Sequence, residues 1–142
     1  MIRHIWSVLC QSASFDQQTN NISLLNVLEQ VITSGEPTAD RPGIVQAELV
    51  SLWKRVQLDT PSNGKMRAFY IDPTGKQSDP ISLEINLSQS IFHRTRLSLP
   101  RFPLITKGEY IFHTEYQVQG EEQWRPASEI PLVVLTQEIP PQ

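Results

Sequence analysis

Ile81-Ser82-Leu83-Glu84-Ile85-Asn86-Leu87-Ser88 alternates without a fault, with large aliphatic residues at the odd positions and polar ones at the even positions. Successive side chains of a β-strand point to opposite faces, so the octet predicts a strand with one buried and one solvated face. One-sided strands are typical of antiparallel sheets, because strands of parallel sheets are covered on both faces and read as unbroken apolar runs. The turn upstream fits this reading. In Asp72-Pro73-Thr74-Gly75, Pro73 pre-sets φ, the Asp72 carboxylate can accept from turn amides, and Gly75 tolerates φ > 0.

Outward from the octet the same period recurs. Lys65–Asp72 sets Met66, Ala68 and Tyr70 against Arg67 and Phe69, and Ile91–Leu99 alternates until Pro100 and Pro103 interrupt it. Ile44–Leu58 places Val45, Ala47 and Leu49 opposite Gln46 and Glu48, and its length calls for a bulge near Ser51–Trp53. Glu109–Val118 puts Tyr110, Phe112, Tyr116 and Val118 on one face, with Glu109, His113, Glu115 and Gln117 on the other. Gln119-Gly120-Glu121-Glu122 closes a hairpin, Gln123–Arg125 returns, and Pro131–Ile139 forms a last strand before Pro140-Pro141. Arg3–Cys10 reads as the first strand. Ile22–Ile32 admits two readings: Leu24, Leu28 and Val31 have helical spacing between Asn21 and Gly35 as caps, but β-branched residues at 22, 27 and 31–33 favour a strand. The strand is preferred. Eight or nine short strands in 142 residues predict one domain over 1–142: an all-β, antiparallel two-sheet β-sandwich, immunoglobulin-like, with less than about one-tenth helix.

Several stretches resemble a family of small uncharacterised bacterial β-sandwich domains. They are the opening strand ending in Cys10, the polar link, and Ile22-Ser23-Leu24-Leu25-Asn26-Val27-Leu28. Tyr70-Ile71-Asp72-Pro73-Thr74-Gly75-Lys76, and Gly108-Glu109-Tyr110-Ile111-Phe112 leading to Pro131-Leu132-Val133-Val134, are similar to its later segments. The resemblance implies the sandwich and a strand at 22–28, in a bacterial protein. It implies no catalytic residue.

Composition narrows the function classes. A formal net charge of −3 argues against a protein that neutralises phosphates, so no nucleic-acid partner is expected. No apolar run approaches the ~20 residues of a membrane span, and Ile5–Cys10 is shorter than a signal-peptide core. No membrane partner is expected, and a lone thiol fits a reducing, cytoplasmic setting. One cysteine leaves no internal disulfide and no thiolate zinc site; Cys10 is expected to be buried and unreactive.

The chemistry-bearing residues are dispersed. His4, His93 and His113 lack the local pairing of metal ligands, and His93 shares parity with Ile91, Leu97 and Leu99 as a core-facing histidine. Glu109, Glu115, Glu121 and Glu122 gather in one hairpin without apolar neighbours to hold one of them protonated. There is no nucleophile elbow and no glycine-rich phosphate loop. Arg94 and Arg96 beside Phe92 read as a solvated face, and Trp6 and Trp53 read as core. The expectation is a protein without metal, cofactor or enzymatic activity: a non-catalytic protein-interaction module. Its contact would lie in Leu99-Pro100-Arg101-Phe102-Pro103-Leu104-Ile105, stiffened by two prolines, with Phe102 at the centre, Leu104 beside it, and Arg101 and Lys107 at the rim. The partner would be another protein or a second copy. The competing reading of that segment is a loop plugging one end of the fold. The alternative function is a small-ligand or carbohydrate module using the 109–125 hairpin, with Trp124, Glu115 and His113.

Overall fold

The computed structural model describes residues 1–138. Nine strands run in chain order: β1 (Ile2–Phe15), β2 (Ile22–Val27), β3 (Gln30–Ser34), β4 (Gly43–Arg55), β5 (Ser62–Ile71), β6 (Ile81–Leu87), β7 (Phe92–Leu104), β8 (Gly108–Val118) and β9 (Arg125–Gln137). They form a four-stranded sheet in the order β2-β1-β4-β7 and a curled five-stranded sheet in the order β3-β9-β8-β5-β6. The described residues contain no helix. The all-β expectation holds, and all of the 81–88 octet but Ser88 is β6, with Ile85 and Leu87 buried. The expected end of the last strand at Ile139, and Pro140-Pro141, lie outside the described residues.

The expectation of antiparallel pairing throughout is corrected at one place. The segment 22–32 is two strands, and β3 pairs with β9 in parallel, Val31 opposite Val134. After β2 the chain crosses between sheets within Leu28 and Glu29. The Leu28 amide still donates to Leu9 of the first sheet, while the Glu29 carbonyl already accepts from Val133 of the second. The chain changes sheet without reversing direction, and β9 runs the same way, so the new pair is parallel.

The core lies between the sheets. Trp53, Leu9, Leu49, Met66, Ile85, Tyr110, Phe112 and Leu132 are buried in one cluster. Trp53 packs its ring against His4 and Tyr116, and its Nε1–H donates to Thr95 Oγ1 at 3.0 Å, so the indole carries no unsatisfied donor. Gly64 is required where β5 passes Ile2: a Cβ there would come within 2.6 Å of Ile2 Cδ1 and closer still to the Gln117 carbonyl oxygen. Arg55 ties the sheets together, its Nε–H donating to Leu87 O at 2.8 Å. Asp72 caps its turn as its position suggests, Oδ1 accepting from the Thr74 and Lys76 amides and from the Thr74 hydroxyl. These bonds, the Thr74 hydroxyl foremost, hold its carboxyl below the usual aspartate range.

The bulge expected in β4 belongs to its neighbours. Opposite Trp53 and Leu52 the extra residue is Ile5 of β1, between His4 and Trp6. One inserted residue inverts the parity of everything after it. Leu9 therefore faces the core, while Trp6, Val8 and Cys10 lie on the outer face, and Trp6 is a half-buried residue of that face rather than of the core. Cys10 is nonetheless inaccessible to solvent, and burial pushes its thiol pKa up. Beyond Cys10, β1 leaves β4, and the end of the β1–β2 hairpin meets β7. The Phe15 ring lies under the Arg94 and Arg96 guanidinium groups, with Arg96 4.7 Å from the centroid. The Ala13 amide donates to Glu48 Oε2, and Arg96 binds both Glu48 Oε1 and Ala13 O.

Candidate functional site

The first surface expected from the sequence is not a surface. Phe102 is 3% exposed and Leu104 1%. Residues 99–104 are not a loop but the end of β7, an edge strand, where Val45 pairs with Phe102 and Ala47 with Leu99. The register shift between those pairs absorbs Pro100 and Arg101, so the missing Pro100 amide costs no ladder bond. Phe102 turns into an aromatic cluster, edge-on to Tyr70 at 4.8 Å and in contact with Tyr110 and Phe112. Arg101 remains exposed, and Lys107 pairs loosely with Glu36 at 3.7 Å. Four residues expected to form one contact are thus divided between interior and rim.

The second set, Trp124, Glu115 and His113, is gathered on the outer face of the five-stranded sheet, but each member is already engaged. Arg67 of β5 joins two of them, donating to Glu115 Oε1 at 2.8 Å and lying 4.3 Å over the Trp124 ring. His113 stacks on Phe69 with ring planes 9° apart, and its Nδ1 lies 3.7 Å from Glu129 Oε1. His113 Nε2 is buried without a partner. Trp124 is half-buried rather than exposed.

The pairing of β6, β5, β8, β9 and β3 divides this face into two halves on either side of that row. On one side an apolar stripe crosses four strands. Phe69 and Ile71 of β5 adjoin Ile111 of β8, which is paired with Pro131 of β9; Val133 and Leu135 continue along β9 to Ile32 of β3, which is paired with Leu135. Ile32 is 56% and Leu135 45% exposed. On the other side lies a hollow of about 520 Å³, bordered by Asn63, Lys65, Glu84, Asn86, Gln117 and Gln119. Lys65 sits between Glu84 and Gln117 in one cross-strand row.

No protein-family model and no curated protein matches the chain.

The residues of the stripe and the hollow were partly visible in the sequence. Alternation assigns Phe69, Glu84, Asn86 and Gln117 to wet faces, but it gives no sign that β5 runs between β6 and β8. Ile32 and Leu135 are more than 100 positions apart and meet only through the parallel pair.

Proposed function

We propose that the protein is a non-catalytic protein-interaction module, an immunoglobulin-like β-sandwich that meets its partner through the apolar stripe of the five-stranded sheet. Strand order supports the architecture. Immunoglobulin-like sandwiches keep their first, second and fifth strands adjacent in one sheet, and their third, sixth and seventh in the other. Here β1-β4-β7 and β5-β8-β9 follow that scheme, with β2 and β3 added at the sheet margins and β6 beside β5. Tyr110 supports it too. Near the start of β8 its hydroxyl accepts from the Ile105 amide at 3.1 Å and donates to the Thr106 carbonyl at 3.0 Å, the geometry of a tyrosine corner.

The stripe carries the functional reading. Single exposed aliphatic residues are ordinary on any surface, whereas a contiguous row crossing four strands marks an interaction site. Because it is built on paired strands, ordering it on binding costs little. Glu109, paired with Val133, and Gln30, also paired with Val133, supply a polar rim. The mutual pairing of Arg67–Glu115, Arg96–Glu48 and Arg125–Glu121 supports the non-catalytic reading.

The partner is another protein chain or a second copy, and one variant tests both. In Ile32→Arg/Leu135→Arg both positions are exposed, so stability should change by only about 1 kcal/mol. The native protein should self-associate in sedimentation velocity, or retain a partner in affinity capture from its own cells, and the variant should do neither. If variant and native protein sediment alike and retain the same proteins, the reading fails.

A further inference from the structure

We infer that the hollow at the other end of the same face, bordered by polar residues, is a binding site for a neutral polyhydroxylated ligand, a short carbohydrate chain. It is separate from the apolar stripe and does not depend on it. At about 520 Å³ the hollow falls within the ~300–1,000 Å³ of small-ligand sites. Its construction is more telling than its size. Three of the bordering amides are held by one end and left unpaired at the other. Asn63 Oδ1 accepts from the Leu87 amide at 3.2 Å, Asn86 Oδ1 from the Ser88 amide at 3.0 Å, and Gln117 Nε2 donates to Glu122 O at 2.8 Å. No bond within the described residues uses the Asn63 and Asn86 NH₂ groups or the Gln117 Oε1. These groups are fixed donors and acceptors, whose side-chain freedom is already restricted before a ligand arrives.

Vicinal hydroxyls both donate and accept, and so match a rim that offers both. Charge selects further. Lys65 and Glu84 are cross-strand partners, yet they form no ion pair with each other or with any other described group. An anionic ligand would meet the Glu84 carboxylate and a cationic one the Lys65 ammonium. A neutral ligand accepts from Lys65 and donates to Glu84 without repulsion. Between the outward-facing rows the floor is the backbone of Gly64, Ile85 and Val118, where Gly64 and Ile85 are buried. The strands hold the rim rigidly apart.

The test is a titration of the ¹⁵N-labelled full chain with maltotriose, cellotriose and triacetylchitotriose at millimolar concentration, with inorganic phosphate as the anionic comparison. At least one trisaccharide should give saturable amide shifts centred on 63–65, 84–86 and 117–119, including the side-chain NH₂ signals of Asn63 and Asn86. The Asn86→Ala/Gln117→Ala variant, with an unchanged melting temperature, should bind roughly tenfold more weakly or worse. Shifts with phosphate but with no sugar, shifts mapping to the apolar stripe, no saturable shift with any of the three sugars, or undiminished binding by the variant would each overturn the assignment.

Discussion

Phe102 shows how far one residue's neighbours along the chain can mislead. Set between Pro100 and Pro103, with Arg101 before it and Lys107 beyond, it has the local composition of an exposed contact, yet three aromatic rings enclose it between the sheets. Truncating it leaves a cavity that those rings, held on β5 and β8, cannot collapse to fill. Phe102→Ala should therefore cost about 3–5 kcal/mol, read as a drop in the urea midpoint at unchanged m-value, with no change in sedimentation. A variant as stable as the native protein would contradict the packing. The same contrast applies to His113. It lies on the wet face of β8, as alternation requires, but the Phe69 stack and Glu129 half-bury it. Alternation gives a side chain's face, not what stands beside it.

At the scale of elements, the end of the β1–β2 hairpin depends on a small set of contacts. Beyond Cys10 it has no ladder to β4; Glu48 of β4 accepts from the Ala13 amide, and β7 holds it through Arg94 and Arg96 over Phe15, Arg96 to Ala13 O and Arg94 to Asn20 O. Glu48 is largely buried, so removing Arg96 leaves its carboxylate with the Ala13 amide as its one remaining bond. Arg96 itself is partly solvated, which places the expected cost of Arg96→Ala at about 1–2 kcal/mol, between the values for surface and buried pairs. The more specific expectation is local. Amide exchange should quicken over residues 13–22, and Cys10, shielded in the native protein, should react faster with a thiol reagent. Unchanged exchange and thiol reactivity would mean that Arg96 does not fasten the hairpin. Strand existence in this region was legible from alternation, but the inversion of parity at Ile5 was not. A bulge is one residue with no signature of its own, and it moved Trp6 and Cys10 off the core face.

For the whole molecule, half-buried imidazoles tie stability to pH. Partial burial lowers the pKa of His4, against Trp53, and of His93. The unfolded chain then binds protons more readily than the folded one, so stability is greatest above the unfolded pKa of ~6.5 and declines as pH falls below it. Asp72, held below the usual range, adds a further loss as pH falls through the carboxylate region. The denaturation midpoint should fall from pH 7 to pH 5, and NMR titration of the folded protein should show both imidazoles protonating below ~6.5. A midpoint that rises on acidification would reverse the assignment. What is local could be read along the chain: the all-β character, the period-two faces of β5, β6 and β8, and the Asp72 turn. Packing between distant segments sets the rest: β3 lies parallel to β9, Phe102 is interior, Ile32 meets Leu135, and Asn63, Asn86 and Gln117 surround one hollow. The division has a physical reason. Alternation and turn chemistry are written in adjacent residues, whereas strand neighbours and register are selected by burial summed over contacts between distant segments.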